Sequence, residues 1–314
     1  MGYTRHVPVL LREVLEYLDC RPNRIYVDGT VGSGGHAGAI LARSSPTGQL
    51  IGLDWDREAI RRARETLKPF GGRVELREGN YKDLDSELAN LSIAAVDGIL
   101  LDLGLSTEQV EDESRGFSFL RNGPLDMRMN REGRITAGNL LERLSVGEMS
   151  RILKVFGEER WAGRIAKGVV RRMQAAPIRT TGELVEVIRK SIPVRQGRIH
   201  PATRTFQALR IAVNEELQNL QTFLERCADL LNPGGRLVII SFHSLEDRAV
   251  KNHFRLWAKG TERMPPSFSI LTRKPVIPSS SEILDNPKAR SAKLRAVEKI
   301  LVTAKGRKDG GSDL

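Results

Sequence analysis

Short apolar runs alternate with amphipathic segments over the first part of the chain. Four runs rich in Val, Ile and Leu are each followed by a polar turn. They lie at residues 25–27, 49–54, 74–76 and 96–102. Helical spacing of apolar residues follows the first two runs, at 37–42 and 56–67. Repeated strand–helix units predict an α/β fold with a parallel sheet, whose strands end at one common edge.

The alternation stops from about residue 107 to residue 213. Helical spacing dominates there, and helices are predicted at 146–156, 159–174 and 181–192. One further helix is predicted after residue 200, running to about 231, and then a turn and a buried strand at 237–241. We therefore expect a discontinuous α/β domain and an inserted, mostly helical domain. Their expected bounds are residues 1–106 with 214–314, and residues 107–213.

Both ends of the chain carry weaker signals. A helix is predicted at residues 6–18, with Pro8 in its first turn, where a missing N–H is tolerated. His6 at this position is expected to be a cap or surface residue. A last strand or helix is predicted after residue 295, and disorder at 306–314.

Positive charge is concentrated in one internal segment. The chain has a net charge of +11, and residues 151–210 hold 14 Lys or Arg against four Asp or Glu. Within that segment Arg160, Arg164, Lys167 and Arg171 recur at helical spacing, so they form one basic helix face. Such a face in so basic a block predicts a polyanionic partner, with Arg160, Arg164 and Arg171 as candidate phosphate contacts. Arg204 and Arg210 are candidates for phosphate or for carboxylate.

Cysteine content and hydropathy bear on the compartment. Only two cysteines are present, which indicates neither a disulfide framework nor a metal cluster and is typical of a reducing cytoplasm. No apolar leader and no apolar run long enough for a membrane span is found. A cytoplasmic protein with neither metal nor membrane partner is expected.

A glycine-rich turn follows the first predicted strand. Gly29, Gly32, Gly34 and Gly35 let the backbone approach a ligand closely, and a helix begins after them. Residues 32–37 also satisfy the dinucleotide pattern, which keeps a nicotinamide-dependent oxidoreductase open. Asp28 favours a ligand with a cationic centre over a pyrophosphate, and S-adenosylmethionine is such a ligand.

Three later strand ends supply candidate cofactor contacts. Asp54 follows the turn at the spacing of a ribose-binding carboxylate, whereas Asp56 suits a helix N-cap. Tyr81 is either an adenine neighbour or a packing residue. Asp102 ends the fourth run, where it is a candidate catalytic acceptor for an amine proton, a contact to the cofactor's amino group, or a turn cap.

The strand at 237–241 delivers His243 and Ser244 to the same edge. No glycine elbow surrounds Ser244, which argues against a nucleophilic serine. A positioning or substrate-pocket role is predicted for His243.

Several long motifs carry a resemblance to a known family. They lie at residues 6–11, 28–36, 97–104, 115–119, 124–129, 156–160, 200–211 and 240–248. In these motifs the chain closely resembles the MraW-type family of bacterial small-subunit ribosomal RNA methyltransferases. Two departures are visible: Ala37 stands where the family usually has Ser or Thr, and Thr107 stands in the usual Ser-Ser pair.

The resemblance implies a class I (Rossmann-like) methyltransferase sheet with an inserted helical substrate-recognition domain. It also implies S-adenosylmethionine as methyl donor and methylation of the exocyclic amine of a cytidine in the decoding region of 16S rRNA. Assembled small subunits are the implied substrate, and the protein is expected to be a monomer or a homodimer. It favours an adenine contact for Tyr81 and a cofactor contact for Asp102. The implied cofactor-binding residues are Gly34, Gly35, His36, Asp54, Tyr81, Asp102 and Gln109. A non-catalytic RNA-binding protein of the same fold is the remaining alternative.

Overall fold

The computed structural model describes residues 8–193, 200–261 and 265–301. In this part of the chain seven strands form one sheet, in the order β3-β2-β1-β4-β5-β7-β6. The strands are β1 Ile25–Asp28, β2 Gln49–Asp54, β3 Val74–Glu78, β4 Val96–Asp102, β5 Leu231–Ser241, β6 Phe268–Ile270 and β7 Lys293–Lys299. All four predicted apolar runs of the first part are strands, and β1 to β5 pair in parallel.

Strand β7 reverses the direction of the sheet. It pairs antiparallel with β5 on one side and with β6 on the other. Five parallel strands in the order 3-2-1-4-5, with an antiparallel β7 inserted beside β5, form the class I methyltransferase sheet. The predicted fold class is confirmed, and the uncertain segment after residue 295 belongs to a strand that begins at Lys293.

Thirteen helices accompany the sheet in the described residues. They are α1 Leu11–Leu18, α2 Gly35–Arg43, α3 Arg57–Leu67, α4 Leu84–Asn90, α5 Thr107–Glu111, α6 Ala137–Arg143, α7 Val146–Gly157, α8 Ala162–Ala175, α9 Thr181–Ser191, α10 Thr203–Asn214, α11 Glu216–Arg226, α12 Ser244–Lys259 and α13 Ser280–Asp285. None of them is long and apolar enough to span a bilayer.

Apolar residues form three clusters. One joins α1, α2 and α3 to one face of the sheet, and the second joins α4, α11 and α12 to the other face. Because both faces are covered, the central strands are apolar on both sides rather than alternating. The third cluster draws only on residues 105–213, among them Met127, Leu153, Ile165 and Leu209.

Three predicted boundaries are wrong. Helix α1 begins at Leu11, because Leu10 has a left-handed φ of 53° and its amide donates to Glu282 Oε1 at 2.7 Å. The predictions for His6, Val7 and residues 306–314 lie outside the described residues. The long helix after residue 200 is broken at Glu215, where φ is 52°. Strand β5 begins at Leu231, and residues 232–235 bulge out of its pairing with β4.

Candidate active site

The carboxyl ends of β1, β2 and β4 bring three predicted residues to one edge. Asp28, Asp54 and Asp102 are the last residues of these strands. The strands are adjacent and parallel, so their ends converge on one side of the sheet, where α/β folds bind ligands.

The glycine turn between β1 and α2 is built for close approach. Gly34 has a φ of 88°, which an L side chain rarely adopts, and it precedes α2 without a side-chain cap. A Cβ on Gly35 would lie 2.6 Å from Pro8 Cγ, so only glycine fits there. The first N–H groups of an α-helix have no acceptor within the helix itself, so this turn is suited to an external acceptor.

Asp54 lies where a ribose contact was predicted. Its Oδ2 accepts from the Gly32 amide at 2.9 Å and its Oδ1 from the Asp56 amide at 2.8 Å. Burial raises the pKa of Asp54 to about 6, against the lowering effect of those two amides. Asp56 caps α3 by accepting from the Glu58 amide at 3.0 Å, as predicted. The two carboxylates therefore have separate tasks.

Asp102 lies beside the buried Asp28, and the charges of the two carboxylates interact. Asp102 Oδ1 is buried and has no hydrogen-bond partner within the described ranges, and Asp102 Oδ2 lies 3.7 Å from His36 Nδ1. Burial, with Asp28 and Glu246 nearby, raises the pKa of Asp102 well above its usual value. Burial raises the pKa of Asp28 to about 7. Carboxylates with unmet acceptor capacity suit a cationic ligand, because its charge offsets their desolvation.

His36 and Gln109 are held by the protein itself. His36 Nε2 lies 2.9 Å from the Val9 carbonyl oxygen, which fixes the ring beside Asp102. Gln109 Nε2 donates to Asp56 Oδ2 at 2.9 Å, and Gln109 Oε1 accepts from the Ser106 amide at 3.1 Å. Gln109 thus reaches the ribose corner through Asp56, and its direct contact with a cofactor stays a prediction.

Tyr81 follows β3, half-buried at the same edge. Its ring meets that of Phe223 edge-on, with centroids 5.7 Å apart. Burial raises the pKa of the phenol, so the ring offers a neutral apolar surface. The packing contact is observed, and the adenine contact stays a prediction.

His243 is the N-cap of α12. Its Nδ1 accepts from the Glu246 amide at 3.4 Å, and its Nε2 lies 3.2 Å from Glu246 Oε1. Arg210 donates to Glu216 through Nε and Nη2, both at 2.8 Å, which confirms the carboxylate alternative for Arg210. Ser244 Oγ donates to Glu158 at 2.8 Å.

Glu216, His243 and Glu246 form a tight group whose donor atoms lie within 4.8 Å of one another. Arg210 already binds Glu216, and the Phe242 and His243 amides donate to Glu246 Oε2 at 2.9 and 3.2 Å. Burial raises the pKa of Glu246, but His243 and Arg210 outweigh that effect and the net pKa is lowered. The group is an internal ion network, and sequence reasoning missed its two glutamates.

The basic face of α8 lies on the surface of the third cluster. Arg164, Lys167 and Arg171 are exposed, as is Arg160 just before the helix, and within the described ranges none of the four has an ion pair. Arg160 and Arg164 lie over the Trp161 ring, at 4.8 and 5.0 Å from its centroid. Trp161 was not predicted, although an aromatic residue between two arginines was a usable signal. Arg204 on α10 is likewise exposed.

Sheet order and acidic edge together define a class I methyltransferase. A family model described as the MraW methylase family matches residues 3–300, so the chain belongs to that family. S-adenosylmethionine is therefore its cofactor, as predicted, and the unpartnered Oδ1 of Asp102 among the described residues, beside the acidic Asp28, fits a ligand that carries a sulfonium and an ammonium.

Named relatives are similar over nearly their full length. The chain is 50% identical to ribosomal RNA small subunit methyltransferase H of Citrifermentans bemidjiense, over 94% of this chain and 98% of the relative. It is 49% identical to the protein of that name from Heliobacterium modesticaldum, with the same coverage. A solved rRNA methylase from Streptococcus thermophilus aligns with a TM-score of 0.42 and 12% identity, over 93% of this chain and 94% of that one.

Proposed function

We propose that this protein methylates small-subunit ribosomal RNA, at the exocyclic amine of a cytidine in the decoding region of 16S rRNA. Assembled small subunits in the cytoplasm are the proposed substrate. The observation that best supports this proposal is the buried Oδ1 of Asp102, which has no hydrogen-bond partner among the described residues. It lies beside Asp28 at the edge where this fold binds its methyl donor. Family membership and the names of the relatives support the class of substrate.

Cofactor binding is assigned to the carboxyl edge. The Gly35 amide at the start of α2 would receive the cofactor's carboxylate, Gly34 would let the backbone approach it closely, and Asp54 would accept from both ribose hydroxyls. The Tyr81 ring would pack against the adenine. Gln109 holds the Asp56 carboxylate by a hydrogen bond, and His36 would line the cofactor site beside Asp102.

Methyl transfer to an amine relies on positioning and on a route for the proton. When bound, the cofactor supplies a methyl group activated by its sulfonium. The lone pair of a cytosine amine is delocalised into the ring, so an acceptor that draws on its N–H makes the nitrogen a better nucleophile. Asp102, with a raised pKa and a free oxygen, is suited to hold that proton or to bind the cofactor's ammonium.

RNA binding is assigned to the inserted domain. We propose the predicted division into one domain of residues 1–106 with 214–314 and an inserted domain of residues 107–213. The third apolar cluster lies almost wholly within the inserted domain, and the helical path is interrupted at Glu215, where the chain re-enters the sheet domain. Arg160, Arg164, Arg171 and Arg204 are the proposed phosphate contacts. The His243 side chain is taken up by α12, which favours shaping the acceptor pocket over binding the base directly.

Labelled methyl transfer tests the proposal. The acceptors are small subunits lacking the modification, deproteinised 16S rRNA and a DNA control, followed by mass identification of the nucleoside. We expect N-methylcytidine in subunits alone. Label on another nucleoside would overturn the cytidine assignment, and tight cofactor binding without any transfer would favour the non-catalytic RNA-binding alternative.

A further inference from the structure

One arginine of the proposed RNA-binding domain is buried against the proposed cofactor corner. Arg115 is 4% exposed, and its Nη1 donates to Asp56 Oδ2 at 2.8 Å. Asp56 is 3% exposed and is the only partner of Arg115 from the sheet domain among the described residues. A buried guanidinium must keep its carboxylate, because an unpaired charge in this setting is strongly unfavourable.

Asp56 in turn holds the ribose-binding candidate. Its backbone amide donates to Asp54 Oδ1 at 2.8 Å, while its own Oδ1 caps α3. Two hydrogen bonds therefore connect the Arg115 guanidinium through Asp56 to the Asp54 carboxylate. A shift of Arg115 would therefore change the orientation of the Asp54 carboxylate oxygens, which are the proposed acceptors for the ribose hydroxyls.

The other side of the Arg115 guanidinium binds the backbone of the inserted domain. Arg115 Nη2 donates to the carbonyl oxygens of Arg128 and Met129, at 3.1 and 2.7 Å. Asn214, the last residue of α10, holds the same segment: its Nδ2 donates to the Met127 carbonyl oxygen at 2.7 Å, and its Oδ1 accepts from the Met129 amide at 2.7 Å. The segment 127–129 thus ties together both points where the chain passes between the proposed domains.

We propose that Arg115 is a positioning residue that couples RNA binding on the inserted domain to cofactor affinity. The inference rests on the proposed function, since it takes Asp54 as the ribose contact and the inserted domain as the RNA-binding part. RNA that holds the inserted domain in place keeps Arg115 on Asp56 and so tightens the cofactor site. Coupling of this kind is reciprocal, so the cofactor also tightens RNA binding by the same factor.

The test is calorimetric titration with S-adenosylhomocysteine, with and without small subunits that lack the modification. Without RNA, Arg115→Met is expected to raise the dissociation constant about tenfold, and Arg115→Lys less, because an ammonium keeps the charge but cannot bridge Asp56 and two carbonyls. Asp56→Asn is the second variant, since asparagine still caps α3. Arg295→Lys is the matched control: Arg295 is 7% exposed and donates to Asp247 at 2.7 Å, away from Asp54.

The ratio of the dissociation constants without and with RNA separates coupling from damage. We expect a ratio above one in the unaltered protein and close to one in Arg115→Met and Asp56→Asn, with the unaltered ratio kept in Arg295→Lys. A folded Arg115→Met and Asp56→Asn with unchanged affinity and ratio would overturn the inference. If the unaltered protein did not bind S-adenosylhomocysteine, or if Asp54→Ala bound it with undiminished affinity, the proposed cofactor site would be overturned instead.

Discussion

The carboxyl edge of the sheet and the exposed face of α8 carry opposite charges in opposite surroundings. Burial raises the pKa of Asp28, Asp54 and Asp102 at the edge, whereas Arg164 and Arg171 on α8 are exposed and unpaired among the described residues. Buried charge selects a small ligand that replaces water at fixed points. Exposed charge attracts a polyanion with little geometric demand and is screened by salt. Substitutions in one region should therefore leave the other region's ligand unaffected when that ligand is measured alone.

The largest effect is expected at Asp102. Asp102→Asn keeps the shape but loses the negative charge, so methyl transfer should fall by about 10²- to 10⁴-fold, the usual contribution of a positioned proton acceptor. Single-turnover rates and the cofactor dissociation constant are measured together. A loss confined to the rate assigns the amine proton to Asp102, and a loss in affinity assigns the cofactor's ammonium. Activity within twofold of the unaltered protein would contradict both roles.

Asp54→Ala should weaken cofactor binding next most. Two hydrogen bonds from ribose hydroxyls to a charged acceptor are each worth about 1.5–3 kcal/mol, so a rise of at least about 100-fold in the dissociation constant is expected. Asp97→Ala is the control, because Asp97 accepts from the Ile25 amide at the opposite end of the sheet. Equal losses for the two variants would mean that general damage, not ribose binding, is being measured.

Reversing two charges on α8 should weaken RNA binding and leave the cofactor affinity of the RNA-free protein unchanged. Arg164→Glu with Arg171→Glu is expected to weaken binding of small subunits roughly 30-fold and to lower the salt dependence by about two phosphate contacts. Arg61→Glu with Arg64→Glu, on the exposed side of α3, makes the same change in net charge. If that control weakened RNA binding equally, total charge rather than the α8 face would be responsible.

A smaller, pH-dependent effect is expected at the acidic edge. With the pKa of Asp28 near 7 and that of Asp54 near 6, both carboxyls take up protons as pH falls from 7.5 to 5.5. A cationic ligand needs them ionised, so the dissociation constant of S-adenosylmethionine should rise on the order of tenfold across that interval. S-adenosylhomocysteine lacks the sulfonium and should respond less; an equal response of both ligands would contradict the role of Asp28.

The same groups give the cofactor-free protein the opposite trend in stability. Their folded pKa values lie above the ordinary value of 3.8, so the folded state binds more protons than the unfolded state between pH 4 and 7. Their contribution to the free energy of unfolding is thus lost as pH rises through about 6 to 7. Denaturant titrations of Asp28→Asn beside the unaltered protein should show this slope reduced; an unchanged slope would refute it.

Local pattern predicted the sheet and the edge because both depend on short-range signals. Apolar β-branched runs formed β1, β2 and β4, and the residue that ends each run necessarily lies at the carboxyl edge of a parallel sheet. The positions of Asp54 and Asp102 follow from that topology. The Asp56 cap was predictable for the same reason, since a cap is read from its own helix.

Contacts between residues far apart in the sequence could not be predicted from the local pattern. Arg115 lies 59 positions from Asp56, and nothing local marks either residue as the other's partner. The start of α1 depends on Glu282, which is 272 positions away. The break at Glu215 interrupts a continuous apolar periodicity, and Arg210 on one side of it pairs with Glu216 on the other. These features depend on how elements pack against one another.

The division between the two regions is tested most directly by measuring the cofactor dissociation constant of two variants side by side. They are Asp54→Ala and the doubly reversed Arg164→Glu/Arg171→Glu protein, both confirmed as folded. The structure predicts a large loss of affinity in the first and an unchanged value in the second. Equal losses in both would contradict separate cofactor and RNA regions.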